Sequence, residues 1–301
     1  MINRKSIFWF LGIAFVFSWL MFLIPLAFKS DPTRYQQMAV VFWAIGMWGP
    51  GLAAIIVTVF INKEPFSTLS LNRLGKFRYY LAAWFLPPLM VALTVGLSIL
   101  IGTAQFDAEF TTMQTLVDQT AQAGVNMSVT TLILIQLAQG LILGPVINVL
   151  FTMGEELGWR GFLLPKLLPL GEWKALILGG IIWGLWHAPV ILQGYNYPDH
   201  PVLGVLLMTI FCVFLSILIG WMYLRTRSSW SAALAHGSIN AWGGLPLIFL
   251  LPGFDTAVGG TILSATGFIV PAFFVGLLMI TRGLPVEAKG PETGLAHSMA
   301  D

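Results

Sequence analysis

The chain reads as an all-α, polytopic integral membrane protein of about eight transmembrane helices with a polar site inside the membrane. Three observations lead there. Only 9% of residues are charged and 57% are hydrophobic, with a mean hydropathy of +0.84, against roughly 25% charged in ordinary soluble chains. Apolar runs recur, most near the length of about 20 residues that crosses a bilayer. The basic residues collect at alternate ends of those runs, as the charge bias of membrane insertion requires.

The runs are taken in order. Ile7 to Phe28 follows two basic residues but exceeds the 7 to 15 apolar residues of a signal peptide, so it is read as a retained first helix. Met38 to Ile61 contains Gly49-Pro50-Gly51. Tyr79 to Gly102 carries Pro87-Pro88, and Val129 to Met153 carries Gly144-Pro145; each pair is expected to kink or break its helix. Ala175 to Ile191, Val202 to Leu224, Ser231 to Leu251 and Thr261 to Thr281 complete the set. Residues 1–282 form one membrane domain, with the motif-bearing part at about 129–251. The glycine- and proline-bearing segment 283–301 is expected to be a disordered cytoplasmic tail.

With the N-terminus inside, 13 of the 15 Lys and Arg fall on the inner side, leaving Lys29 and Arg34 outside. The long outer loop from Thr103 to Ser128 carries Asp107, Glu109 and Asp118 instead. Both termini are therefore expected in the cytoplasm, with the chain a multi-pass protein of a bacterial plasma membrane. The net charge of +2 is a topology signal, and nothing in it points to nucleic acid. The single cysteine, Cys212, excludes an intrachain disulfide framework or a cysteine metal cluster and reads as a packing residue.

Charges inside this chain are costly and need a reason. Gly154-Glu155-Glu156-Leu157-Gly158-Trp159-Arg160 sets two carboxylates and an arginine between apolar segments. On a helix Glu156 and Arg160 stand four apart on one face and can pair, while Glu155 points about 100° away. His187 lies in IIWGLWHAPV, and His236 in ALAHGSIN with Asn240 one turn on. A fourth span ending at Met153 would leave Glu155 at the surface, out of level with the histidines. If the helix instead continues until Pro165, Glu155 lies roughly 15 Å inside, level with Asn240 at roughly 14 Å and His187 at roughly 18 Å. The longer helix is the expectation.

Peptide hydrolysis needs a base for water, an acid for the leaving amine and donors for the oxyanion. Glu155 fits the base, and His187 fits a group that holds the same water and shuttles its proton. His236 and Asn240, four apart on one face, fit oxyanion donors. Glu156 and Arg160 fit supporting roles as a buried pair. The bland readings are a solvated Glu-Glu pair at a helix end, interhelical hydrogen-bonding histidines, and Asn240 as helix glue. His200 and His297 read as loop residues, and most of the twelve Trp as anchors and packing.

In these blocks the chain resembles the CPBP group of intramembrane glutamic proteases, which joins type II CAAX prenyl endopeptidases to bacteriocin-processing proteins. Glu155-Glu156 with Arg160, His187 four after an aromatic, and His236 with Asn240 carry the resemblance. Asn148, Trp159-Arg160-Gly161 and Pro165 add to it. The first 128 residues match only loosely, through Gly49-Pro50-Gly51. The familiar aromatic is Phe, where this sequence has Trp183. The resemblance implies a metal-independent endopeptidase without cofactors, acting on a peptide or protein in the bilayer. In some members the substrate is cut after a lipidated cysteine, and in others it is an unlipidated precursor.

Other classes stay open. No His is followed by Glu, so the HExxH zinc motif is absent, and no Gly-x-Ser-x-Gly elbow occurs. A zinc site of Glu155, Glu156, His187 and His236 remains possible in ligand type. A transporter, or a non-catalytic protein of peptide-toxin immunity or secretion support, would also explain intramembrane charges. The site is expected to open towards the cytoplasm.

Overall fold

The computed structural model describes residues 3–286. Among them the secondary structure is helical, save one isolated bridge between Phe106 and Leu250. The all-α membrane class holds, with five helical runs long and apolar enough to cross a bilayer: Arg4–Phe28, Pro32–Ile61, Arg78–Ile101, Val129–Leu170 and Pro201–Thr226. The other three expected spans are shorter. Helix α9 (Glu172–Trp186) has 15 residues, α12 (Ser229–Trp242) has 14 and α14 (Ile269–Ile280) has 12.

The first run is α1 (Arg4–Leu23), whose first turn is capped by the Asn3 side chain accepting from the Ser6 amide. Asp31 caps α2 (Pro32–Gly46) in the same way, with Pro32 at the helix start where its missing N–H costs nothing. After a short break α3 (Gly49–Ile56) continues the run and packs against α1. Helix α4 (Arg78–Ile101) follows and ends at Gly102 in the left-handed region.

The expected outer loop is not all loop. It contains α5 (Thr111–Gln122), whose first turn is held by Asp107 accepting from the Thr111 amide at 2.6 Å. Its apolar face is brief, with Met113 buried and Leu116 and Val117 packed beside it. The next run is one continuous helical path: α6 (Val129–Ala138), a π-helical turn (Gln139–Leu143), α7 (Gly144–Glu156), a second π-helical turn (Leu157–Leu163) and α8 (Leu164–Leu167). It passes through Glu155 and Glu156, as the longer-helix reading expects. It also passes Pro165, which opens α8 instead of ending the helix; the run stops before Gly171, where φ is +89°. Helix α9 is followed by α10 (Ala188–Ile191), then α11 (Pro201–Thr226), α12, the short α13 (Pro246–Phe249) and α14.

The proline pairs do not break their helices, and the reason lies between helices. Proline lacks the N–H that the carbonyl four residues earlier needs. Pro88 frees the Trp84 carbonyl, which accepts from Ser238 Oγ of α12 at 2.8 Å. Pro145 frees the Leu141 carbonyl, which accepts from the Trp84 indole N–H at 2.6 Å. Partner side chains thus replace two of the lost bonds, as a medium without water favours. These two bonds tie α4, α7 and α12 into one block.

Close backbone contact holds α3 on α7. A side-chain carbon at Gly51 would stand 2.6 Å from the Gly154 carbonyl oxygen, and one at Gly158 would stand 2.4 Å from Pro50. Only glycine allows that approach, the small-residue packing by which membrane helices associate. Gly49-Pro50-Gly51 therefore sits directly against the Glu155 segment. At the far end of the chain, residues 287–301 of the expected tail lie outside the described residues. Its first residues are held in place. The Gly283 carbonyl accepts from Arg225, Leu284 is buried, and the Val286 amide donates to Glu172.

Candidate active site

One face of α7 is written at a spacing of four: Asn148, Thr152, Glu156 and, on the π-helical turn, Arg160. That row faces α12. Asn148 Nδ2 donates to the Gly237 carbonyl at 3.1 Å, and Thr152 Oγ1 donates to the Ala233 carbonyl at 2.8 Å. Glu156 Oε1 accepts from Arg160 Nη1 at 2.8 Å and from His236 Nδ1 at 2.9 Å. All three of these charged or ionisable groups are buried. The pairing of Glu156 with Arg160 is the expected one. The bond from His236 was not expected, because the two residues lie 80 apart in sequence.

Glu155 points to α9. Its Oε2 accepts from the Trp183 indole N–H at 2.7 Å, and the side chain is buried. Trp183 is the hub that sequence reasoning treated as a mere aromatic. The Arg160 guanidinium lies 4.4 Å over its ring, and the His236 ring meets it edge-on at 5.1 Å. A phenylalanine at this position would keep the packing and lose the N–H to Glu155. The tryptophan in place of the familiar Phe was the one signal in the sequence for this contact.

His187 closes α9, with its Nδ1 2.9 Å from the Trp183 carbonyl, four residues back. A carbonyl accepts only, so Nδ1 carries the proton and Nε2 is the nitrogen left for chemistry. The same logic applies to His236: its Nδ1–H is committed to Glu156, and Nε2 remains. A neutral His236 then offers an acceptor at Nε2, while the imidazolium offers a donor. Asn240, one turn further on α12, is exposed.

Glu155, His187, His236 and Asn240 line one cavity of about 1010 Å³; Glu156 and Arg160 do not reach it. Among the described residues, no three His, Cys, Asp or Glu side chains are grouped to hold a metal ion. The cavity is walled by Ala39 and Trp43 of α2, Phe151 of α7, Val190 of α10 and Phe211 of α11, so its lining is largely apolar around the few polar groups. It continues to Lys29, Pro32, Tyr35 and Gln193 to Asn196. Those loops share one end of the bundle, where Tyr35 pairs with Gln193. Both ends of the described residues lie at the other, where Ser6 meets Asn62 and Val286 meets Glu172. The expectation placed the opening and the termini on one side, whereas the opening and the described ends lie on two. The cavity and the described termini are at opposite ends, because α2, α9 and α11 contribute the halves nearest the first of these ends.

Comparison with known proteins now bears on this geometry. Residues 130–242 match the family model described as type II CAAX prenyl endopeptidase Rce1-like. A CAAX prenyl protease 2 of Methanococcus maripaludis is 39% identical over 93 residues, which cover 29% of this chain and 34% of that protein. The chain therefore spans about a third of the length of the curated relative it matches. The matched region holds Asn148, both carboxylates, Arg160, both cavity histidines and Asn240.

Proposed function

We propose that this chain, whose residues 130–242 match the type II CAAX prenyl endopeptidase Rce1-like family model, is an intramembrane endopeptidase that hydrolyses peptide bonds with a water activated by Glu155 and His187. The observation that carries the reading is the convergence of Glu155, His187, His236 and Asn240 on one cavity, each from a different turn or helix. Glu155 takes a proton from water while the oxygen attacks the peptide carbonyl. His187, fixed by its Nδ1–H on the Trp183 carbonyl, holds the same water through Nε2. The carbonyl oxygen becomes an oxyanion, facing Asn240 Nδ2 and His236 Nε2, which donates when the ring carries both protons. The proton gained by Glu155 then passes to the departing amine as the carbon–nitrogen bond breaks.

Trp183 and Arg160 set the base. The indole N–H fixes one Glu155 oxygen, which leaves the other for water. Burial disfavours a carboxylate's charge and nearby cations favour it, so opposing influences meet at this site. The relative's name brings a prenylated C-terminal motif to this chain as one substrate class, and unlipidated precursor peptides are the other. The membrane proposed is a bacterial plasma membrane with both termini in the cytoplasm. Detergent-purified protein should cleave a peptide at a defined bond, and Glu155→Gln should remove that cleavage while the protein stays folded. Full activity in Glu155→Gln would overturn the reading.

A further inference from the structure

We infer that this peptidase takes its substrate from the extracytoplasmic face of the membrane, so that its targets are exported peptides or outward-facing segments of membrane proteins. The inference rests on the peptidase reading above and names its substrate class. Two independent observations meet in it. The first is the shape of the site. Its cavity reaches Lys29, Tyr35, Gln193, Tyr195 and Asn196, and Lys29 and Tyr195 are exposed there. The opposite end is closed. Loop residue Leu69 is buried, its carbonyl accepts from Ser229 Oγ, and Phe162, Leu163 and Ala232 are buried beneath it. No residue of the loop between α3 and α4 lines the cavity.

The second observation is charge. The closed end carries Arg4, Lys5, Arg73, Lys76, Arg225 and Arg227 among its basic residues, and the open end has Lys29 and Arg34. Short loops rich in Lys and Arg stay in the cytoplasm. The closed end is then cytoplasmic, and a chain approaching from the cytoplasm meets a sealed layer about where Phe162 and Leu69 pack. Among the described lining residues Lys29 is the one Lys or Arg and Glu155 the one carboxylate. The entrance otherwise offers uncharged groups, Tyr35, Gln193, Tyr195 and Asn196 beside Trp43, which suit an uncharged peptide.

The test uses the full chain in bacterial spheroplasts. Cys212→Ala removes the single native cysteine. In that background Tyr195→Cys marks the entrance, Val202→Cys marks the same end away from the cavity lining, and Lys76→Cys marks the closed end. A membrane-impermeant maleimide should label the first two in intact spheroplasts and Lys76→Cys only after lysis. A bulky maleimide on Tyr195→Cys should lower cleavage about tenfold or more against the same variant unlabelled, and on Lys76→Cys less than about twofold, as when the mouth of a pocket is filled. Labelling of Lys76→Cys but not of Val202→Cys in intact spheroplasts would place the entrance in the cytoplasm and overturn the inference. So would an unchanged rate after labelling Tyr195→Cys. Failure of the unlabelled protein to cleave any peptide would instead count against the peptidase reading, since the labelling pattern does not depend on activity.

Discussion

Glu155 and Glu156 are neighbours on α7, yet the two faces they occupy are built differently. The face turned to α12 is closed: Glu156 is shared by Arg160 and His236, and Thr152 and Asn148 bond to the α12 backbone above it. The face turned to α9 is open on one side. Among the described residues Glu155 has a single hydrogen-bond partner, Trp183, and it stands on the wall of the cavity. The difference teaches that burial alone does not mark a reacting group. Both carboxylates are buried and Glu156 Oε2 also lacks a hydrogen-bond partner, so what sets Glu155 apart is the cavity beside it, where a substrate water can reach its oxygen.

Variants on the two faces should therefore fail in different ways. On the open face, His187→Ala and Glu155→Gln should each lower turnover by about 10² to 10⁴, the usual share of a general acid or base. Their thermal midpoints should stay near that of the wild type in the same detergent. Asn240→Ala should cost about 10² to 10³ in kcat, the typical loss for one oxyanion donor. A thermal midpoint that fell with the rate would make Asn240 a packing residue instead.

On the closed face the first casualty should be the fold. Glu156→Gln leaves the Arg160 charge without its partner, and breaking a buried pair in this way costs about 3 to 5 kcal/mol. Expression and thermal midpoint should both drop. A well-folded but inactive Glu156→Gln would reverse the two roles. Trp183→Phe bridges the faces, since it removes one hydrogen bond to a charged group, worth about 1.5 to 3 kcal/mol. Turnover should fall about tenfold to a hundredfold with the cavity intact. The smallest loss is expected from Ser238→Ala, which leaves the Trp84 carbonyl unpaired at about 1 to 3 kcal/mol. It is read as a lower thermal midpoint with turnover per folded molecule unchanged.

Much of this comparison was legible in the chain. The helical spacing set Glu156 beside Arg160 and turned Glu155 away, and both relations hold in the structure. The continuation of the helix past Met153 was also legible, from the need to bring Glu155 level with the histidines. What could not be read was long-range. His236 reaches Glu156 across 80 residues, and no local pattern encodes that bond. The same is true of Ser238 and Trp84, whose bonds keep the proline-bearing helices continuous. Helix α5 was missed because its buried side amounts to little more than Met113, too brief a stripe to stand out among Thr and Gln. That the cavity opens away from the described chain ends was not legible, because loop positions show which end a residue occupies, but not which helix halves stand apart.

The most direct measurement follows detergent-purified, exhaustively chelated wild type and Glu155→Gln side by side on one peptide in H₂¹⁸O, with products resolved by mass. Wild type should yield a single new carboxyl end carrying one solvent oxygen, and Glu155→Gln should yield almost none. Loss of wild-type cleavage on chelation with recovery on adding Zn²⁺, or undiminished cleavage by Glu155→Gln, would contradict water activation by Glu155 without a metal.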